Sequence, residues 1–335
     1  MFVPRLRRVD CHSPGITRRR CGRGFIYLER GKRISDPGKL ARIRALTIPP
    51  AWADVWVCSD EVGHLQAVGT DAAGRKQYLY HVRWRERRDQ EKFDRMLAFA
   101  RSLATLRVVT AEQISGEGLT RERVLACAVR LLDQGLMRIG GEEYADEDGG
   151  YGLATLEQRH VRIENGAVLF DYAGKGGKHL VQSFTDPEVH EIVGALKRRR
   201  GGGPSLLAYK NAHWVTVRSD EINAHLKEIA GAEFSAKDFR TWHATVLAAI
   251  ALAESPPGTS KAGRERAIVD AIEQAAERLG NTPAVCRASY IDPRLFERFR
   301  ANDTIARAVD RIGRSDRSKP ATRQKIERAV VALLD

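Results

Sequence analysis

Hydrophobic periodicity changes once along this 335-residue chain, near residue 85, and this change constrains the fold more than any other feature. Before it, short apolar segments are separated by Gly-containing turns, which is typical of β-strands. After it, apolar residues recur at helical spacing between N-cap and stop signals. The pattern predicts an α+β protein, with a small β-rich N-terminal domain at residues 25–85 and a larger, mainly α-helical domain at residues 86–335.

The N-terminal part divides into an arm and a small set of strands. Residues 1–24 are basic and contain Pro and Gly without periodicity, so we predict a loose arm that contacts phosphates or is simply disordered. The tripeptide Ser35-Asp36-Pro37 predicts the start of a helix. Strands are predicted for the segments GFIYLE, VWVCSD, HLQAVGTD and KQYLYHVRW.

The C-terminal part combines helices with one group of strands. Thr120 is a good N-cap, and Gly135 a good stop, for the helix between them. Further on, Asn165-Gly166 is a strong signal for a two-residue hairpin loop, because alternating apolar residues flank it. A second Gly-rich turn, at residues 174–178, completes a predicted three-stranded β-meander.

The charge balance favours a polyanionic partner. The chain carries 56 Lys+Arg against 43 Asp+Glu, a formal net charge of +13. Such an excess raises the local concentration of nucleic acid, and the binding is expected to weaken as salt rises. On charge alone, the alternative is a soluble protein with a high pI and no such partner. A hydrophobic content of 43% argues against disorder.

Cysteine spacing and hydropathy indicate the compartment. The five cysteines are scattered, odd in number and without C-x-x-C spacing, which predicts neither a disulfide framework nor a metal site and favours a reducing compartment. No apolar run reaches the roughly 18 residues of a membrane span. The Arg-rich N-terminus lacks the apolar region of a secretory signal, so a cytoplasmic location is expected.

Two basic residues, Arg138 and Lys175, follow a predicted helix end and lie on a predicted hairpin turn, respectively. At each place the side chain can contact a phosphate. Arg138, in GLMRIGGEEY, has apolar neighbours and can present a desolvated fork to phosphate oxygens; a surface ion pair with Glu142 or Glu143 is the alternative. Lys175, in AGKGGK, lies on the second hairpin turn, where it can protonate a departing oxygen; a solvated turn lysine is the alternative. The segment lacks the phosphate-loop pattern, so ATP is not implied.

Arg240 is predicted to lie in the first turns of a buried helix. In SAKDFRTWHAT, Ser235 and Asp238 form a capping arrangement, and an apolar run follows. A helix N-terminus favours anions, so an arginine there strengthens an existing preference for phosphate. Lys237 shares this helix face and is a candidate DNA contact. For His243 we favour packing at the edge of the core over phosphate contact.

Tyr290 is a candidate nucleophile because the arginines can stabilise a phenolate in the transition state. A half-buried helix tyrosine is the alternative. Thr282-Pro283 opens a helix that carries Tyr290 near its end. Asn281 and Tyr290 are nine residues apart, or about 13 Å on a continuous helix. Both reach one phosphate only if Asn281 lies off the helix.

Taken together, these residues resemble the compact poxvirus-like and bacterial branch of type IB DNA topoisomerases. The resemblance covers roughly residues 25–300 and rests on the order, spacing and hairpin context of five positions: Arg138, Lys175, Arg240, Asn281 and Tyr290. It implies a β-rich N-terminal domain and a mainly helical catalytic domain that close as a clamp around duplex DNA. It also implies nicking, strand rotation and religation without a cofactor, ATP or metal.

The resemblance assigns a role to each of the five positions. Tyr290 is the nucleophile that forms a 3′-phosphotyrosyl link, and Arg138 with Arg240 stabilises the transition state. Lys175 is the general acid, and Asn281 donates a hydrogen bond to a phosphate oxygen where the poxvirus proteins have histidine. Further DNA contacts are implied at Lys76, Gln77, Tyr78, Tyr80, Tyr144 and Lys237.

Two other functions remain open on sequence alone. A tyrosine recombinase shares the catalytic logic, but usually carries His-x-x-Arg where this chain has Lys237-x-x-Arg240, and tends to have a helical N-terminal domain. A DNA-binding protein without catalysis is the other alternative. In each case duplex DNA is the expected partner, with no membrane and no obligatory protein partner, and a monomer is expected.

Overall fold

The computed structural model describes residues 5–141, 150–255, 260–313 and 319–335. Its chain divides into two compact units, Met1–Phe93 and Asp94–Asp335. The boundary predicted after residue 85 lies inside one long helix, α2, which spans Val82–Ile114. In the described residues, no helix is both long and apolar enough to cross a membrane.

The first unit is built on a six-stranded sheet whose neighbours all pair antiparallel, in the order β3-β2-β1-β4-β5-β6. The four segments predicted as strands each form one. One face of the sheet packs on helix α1, through a core that includes Ile16, Ile43, Val55 and Val57. The elements are β1 Ile16–Cys21, β2 Gly24–Glu29, β3 Lys32–Arg33, α1 Pro37–Ala45, β4 Ala53–Val57, β5 Leu65–Thr70 and β6 Lys76–Tyr80.

The prediction of a loose arm over residues 1–24 is wrong for Ile16–Cys21, which forms strand β1 between β2 and β4. The sequence ITRRRC lacks the alternation of apolar and polar residues that is typical of a strand. The reason is that Arg18 occupies a position on the same face of β1 as the buried Ile16. The Arg18 guanidinium donates to the carbonyls of Ile48, Pro49 and Trp52. It also lies 4.2 Å from the ring of Phe25. A charged residue in this position therefore has its donors satisfied, as burial requires.

The second unit is mainly helical, as predicted. Its helices after α2 are α3 Arg121–Gly135, α4 Pro187–Arg198, α5 Ser219–Ala230, α6 Ala236–Glu254, α7 Lys261–Leu279, α8 Pro283–Ser289, α9 Pro293–Arg300, α10 Ala306–Ile312 and α11 Pro320–Leu334. The predicted meander is present as β7 Val161–Glu164, β8 Ala167–Ala173 and β9 His179–Phe184. A short hairpin pairs β10 Ala208–Lys210 with β11 Trp214–Thr216.

The first turn of the meander has the predicted geometry. Asn165 and Gly166 both have positive φ, 49° and 77°, as a two-residue type I′ loop requires. The pair Glu164 and Ala167 closes the ladder on either side. This turn sets the register that leaves Val168, Phe170 and Tyr172 buried on one face of β8.

Helix α3 begins at the predicted cap and ends at Gly135, as predicted, but Gly135 does not take the left-handed conformation that commonly ends a helix. Thr120 accepts a hydrogen bond from the Arg123 amide. Gly135 is the last helical residue, and the left-handed conformation falls on Leu136, with φ of 56°. The glycine is needed for packing, because a Cβ at position 135 would lie 2.2 Å from Cζ of Phe184. The β-meander thus packs directly against the end of α3.

Candidate active site

Arg240 joins the ends of two helices. It lies in the second turn of α6, whose start is capped by the Asp238 carboxylate on the Ser235 amide. Its guanidinium donates to the Leu136 carbonyl and, at 2.8 Å, to the Leu279 carbonyl. Since these carbonyls end α3 and α7, Arg240 fixes the two segments that carry Arg138 and Asn281.

Those two segments meet directly. Arg138 Nη2 donates a hydrogen bond to Asn281 Oδ1. Asn281 follows Gly280, the left-handed C-cap of α7, and precedes Thr282, the N-cap of α8. It therefore lies off the helix that carries Tyr290, as the spacing argument required. Its amide Nδ2 is buried and has no hydrogen-bond partner among the described residues.

Tyr290 is held at the end of α8 by the same helix that carries Arg240. Its backbone carbonyl accepts a hydrogen bond of 3.3 Å from Thr245 Oγ1, and Thr245 lies on α6, fully buried. The Tyr290 amide donates to the Cys286 carbonyl, which closes the last turn of α8. Its ring lies 5.4 Å from Cζ of Arg240. Helix α6 thus fixes both the nucleophile candidate and one of the cations.

Lys175 occupies the exposed tip between β8 and β9, in a short 3₁₀ turn over Lys175–Gly177. Gly176 and Gly177 both have φ of 73°, which L side chains rarely adopt. A Cβ at Gly150 would lie 2.9 Å from Cα of Lys175, so the residue 150 backbone runs directly beside the tip.

A continuous backbone path joins this tip to Arg138. Tyr151 donates to the Ala173 carbonyl at 2.7 Å, and Leu153 donates to the Arg138 carbonyl at 2.8 Å. Gly140 and Gly152 pack so closely that a Cβ on either would clash with the other's backbone. These contacts require glycine and set the Arg138 segment beside the base of the hairpin.

The electrostatic environments of Arg240 and Tyr290 are complementary. Burial lowers the pKa of Arg240 to about 10, and the neighbouring charge of Arg138 acts in the same direction. Burial raises the pKa of the Tyr290 phenol, but the charges of Arg240 and Arg138, with hydrogen bonds from both, lower it by more. The net pKa of Tyr290 is below its ordinary value. The phenolate is therefore more accessible here than in water.

A second phenol, which the sequence did not single out, interacts electrostatically with the same arginines. Tyr172 lies on β8 and is 3% exposed. Burial raises the pKa of its phenol to about 12, although Arg240 and Arg138 act in the opposite direction. A sequence signal was present, because Tyr172 continues the alternating buried face of β8 to within three residues of Lys175.

His243 lies further along α6, near a cluster of charged residues from α2, α3 and α11. His243 is 8% exposed, which confirms the expectation of packing, and burial lowers the pKa of its imidazole to about 3. Nearby, Arg107 donates to the carboxylates of Asp133 and Glu327 at 2.6–2.9 Å. Arg323 also donates to Asp133. These arginines have carboxylate partners, whereas no described carboxylate pairs with Arg138 or Arg240.

The candidate DNA contacts of the first unit lie on its edge strand β6. Tyr78 and Tyr80 are 46% and 39% exposed, and their rings stack with centroids 6.2 Å apart. Lys76 shares their face of the strand. Gln77 lies on the opposite face and donates to Asp71 at 2.9 Å.

The other two candidate contacts belong to the second unit. Lys237 is exposed at the start of α6. Tyr144, with Glu142 and Glu143, lies outside the described residues.

Known proteins match this chain over both units. A family model described as bacterial DNA topoisomerase IB, N-terminal domain, matches residues 24–71, and one described as eukaryotic DNA topoisomerase I, catalytic core, matches residues 81–314. DNA topoisomerase 1B of Acanthamoeba polyphaga mimivirus is 30% identical over 299 residues, covering 86% of this chain and 88% of the viral protein. DNA topoisomerase 1 beta of Arabidopsis thaliana is 26% identical over 160 residues, 47% of this chain and 16% of the plant protein. The chain belongs to the type IB DNA topoisomerases.

Proposed function

We propose that this protein relaxes positive and negative supercoils in duplex DNA through a transient 3′-phosphotyrosyl intermediate. The observation that carries the proposal is the pairing of one half-buried phenol, Tyr290, with two guanidinium groups that have no described carboxylate partner. Such cations keep their field available for a phosphate, whereas paired ones do not. Their effect on Tyr290 is already expressed as a lowered phenol pKa.

The cleavage step uses this geometry as follows. The Tyr290 oxygen attacks the phosphorus, a P–O bond to tyrosine forms, and the bond from phosphorus to the 5′ oxygen breaks. The phenol proton passes to solvent, and Lys175 supplies a proton to the departing 5′ oxygen. Arg138 and Arg240 stabilise the extra negative charge on the non-bridging oxygens as the transition state forms. Religation reverses each transfer.

Asn281 serves both partners of the reaction in this scheme. Its Oδ1 holds Arg138, and its buried Nδ2, which has no described partner, is available for a non-bridging phosphate oxygen. An unmet buried donor is costly until such an acceptor arrives. An amide that accepts and donates at once can therefore occupy the position where the poxvirus proteins have histidine.

No external energy source is needed in this cycle. The phosphotyrosyl link conserves the energy of the phosphodiester bond, so religation by the free 5′-hydroxyl is close to balanced. Supercoil torsion then drives net rotation between the two steps. We accordingly propose activity without ATP or a divalent metal, with a monomer sufficient. Lys76, Tyr78 and Tyr80 are proposed to contact the duplex through the first unit.

A plasmid assay tests the proposal. Supercoiled plasmid of either sign is incubated with the protein in EDTA without nucleotide, and SDS is added to trap covalent adducts. We expect relaxation and an adduct on the 3′ side of the nick. Tyr290→Phe should abolish both while duplex affinity stays within about twofold, because only the nucleophilic oxygen is lost. An adduct with the Phe variant would overturn the assignment.

The same assay separates the two rivals. Strand exchange between two duplexes that share a site would indicate a recombinase. Salt-sensitive duplex binding by the wild type without nicking or adduct would indicate a binding protein.

A further inference from the structure

Tyr172 is a buried residue close to the candidate site, and the proposed mechanism gives it no role. It is buried on β8, three residues before Lys175, and its phenol interacts electrostatically with both Arg138 and Arg240. Its hydroxyl donates to Gln182 Oε1 at 3.4 Å. In the ladder, Gln182 pairs with Phe170, which makes it a diagonal neighbour of Tyr172 on the same face.

Gln182 carries the contact on to the arginine segments. Its Nε2 donates to the Gly135 carbonyl at 2.6 Å. The next carbonyl along the chain, that of Leu136, is one of the two that hold Arg240. The hydroxyl of Tyr172, the amide of Gln182 and the end of α3 therefore form one short chain of polar contacts.

The neighbouring inward positions of β9 make similar contacts. Phe184 packs against Gly135, and Leu180 lies against Gly280, the residue before Asn281. Strand β9 thus touches both segments that Arg240 joins. The hairpin and the arginine segments are mechanically linked through this strand, and the Tyr172 hydroxyl adds a polar contact to the link through Gln182.

We propose that Tyr172 is a positioning residue for the Arg138–Arg240 pair, and that its hydroxyl, anchored by Gln182, sets where the two guanidinium groups stand relative to Tyr290. The inference rests on the proposed function. A neutral phenol suits this role, because it holds Gln182 through a hydrogen bond without adding a charge that would compete with the phosphate. A carboxylate at this position would pair with the arginines and reduce their attraction for DNA.

The test is single-turnover cleavage of a duplex oligonucleotide whose cleavage site has been mapped with the wild-type protein. Tyr172→Phe removes only the hydroxyl, and Tyr209→Phe is the matched control on β10. We expect Tyr172→Phe to slow cleavage about tenfold at saturating enzyme. We also expect its rate-against-pH profile to move to higher pH, since the arginines then lower the Tyr290 pKa less. Tyr209→Phe should match the wild type in both.

A sulfur-substituted substrate shows which group Tyr172 acts through. With sulfur in place of the bridging 5′ oxygen, the leaving group needs no proton, so a Lys175→Ala variant should recover. The Tyr172→Phe defect should persist, because the arginines act on the non-bridging oxygens. Gln182→Met, which removes the hydroxyl's acceptor, should shift the pH profile in the same direction by less.

Three outcomes would overturn the inference. They are an unchanged rate in Tyr172→Phe, a slower rate with an unshifted pH profile and a lower melting temperature, and recovery on the sulfur substrate. If the wild type itself forms no adduct, the proposed function fails instead, so the two failures are distinguishable.

Discussion

Two groups of arginines, each at least partly buried, lie in the second unit, and they differ in what balances their charge. Arg107 and Arg323 pair with the carboxylates of Asp133 and Glu327. We call these four residues the closed cluster, because their charges balance one another. Arg240 instead donates to two backbone carbonyls and lies beside another cation, Arg138.

The difference is expressed in their pKa values. Burial lowers the pKa of Arg107, but its hydrogen bonds to the carboxylates of Glu327 and Asp133 offset this and leave the pKa above its ordinary value. Arg240 has no carboxylate partner among the described residues, and the weaker opposing influence of Tyr290 and Tyr172 leaves its pKa lowered to about 10. A cation balanced by carboxylates stabilises the fold. A cation that is held by backbone carbonyls and has no carboxylate partner keeps its attraction for an incoming anion.

Removing a cation from the closed cluster should have the largest effect, and on stability. Arg107→Ala leaves two buried carboxylates with fewer partners, and we expect a loss of about 3–5 kcal/mol in the free energy of unfolding. Urea denaturation measures it. Arg300→Ala is the control, because its bidentate pair with Glu265 is exposed and should be worth about 1 kcal/mol or less. Equal losses in the two variants would contradict the distinction.

Removing Arg240 should instead affect catalysis most. We expect Arg240→Ala to slow single-turnover cleavage by about 10²–10³-fold, as loss of a transition-state donor does elsewhere. The cleavage pH profile should also move upward, because Arg240 lowers the Tyr290 pKa. Arg240→Lys keeps the charge but cannot span two carbonyls, so it should recover the pH profile more than the rate. A profile that does not move in Arg240→Ala would remove Arg240 from the phenol's environment.

Substitutions of Asn281 test whether the uncharged groups around Arg138 and Arg240 contribute to cleavage. Asn281→Ala removes the acceptor for Arg138 and the buried donor, and should slow cleavage by roughly 10–100-fold, as for hydrogen bonds to charged groups. Asn281→Asp keeps the acceptor and adds a negative charge toward the phosphate, so it should be at least as slow. Asn281→His should retain more activity than either. Wild-type rates in Asn281→Asp would exclude a donor role.

The smallest effect concerns His243, between the two groups. Its folded-state pKa of about 3 lies below the unfolded value, so the unfolded chain binds more protons and stability falls as pH drops below about 6.5. Between pH 6.5 and 5, the loss approaches about 1.4 kcal/mol per pH unit at most. His243→Leu should flatten this slope in urea titrations. Carboxyl groups titrate mainly below this window, so an unchanged slope would show that His243 is not responsible.

The elements that local signals mark were predictable from the sequence. The Asn165-Gly166 loop, the Thr120 cap and the Thr282-Pro283 helix start all depend on interactions within a few residues, and each is present as expected. Strand β1 was missed because its arginine is satisfied by carbonyls about 30 residues away. The role of Gly135 was misread for a similar reason, since Phe184 and not the backbone requires it.

The candidate site shows the same division. Residue types and their order were enough to propose Tyr290, two arginines, a hairpin lysine and Asn281, because chemistry at a phosphate demands those groups. Linking Tyr172 to the arginine segments was not possible, because strand pairing and a helix end distant in sequence create that connection through Gln182. The facing of Gln77 away from Tyr78 follows from strand alternation, but its bond to Asp71 does not.

The sequence by itself determined which chemical groups this protein has available for a phosphate. Its positive charge, and the order of Tyr290 and the basic residues along the chain, do not depend on the fold. Only the tertiary structure decided which of its arginines lack a carboxylate partner among the described residues. That distinction depends on whether a carboxylate or a carbonyl lies within about 3 Å of each guanidinium, at sequence separations from 26 to 220 residues. Long-range packing sets those distances, and no local pattern records them.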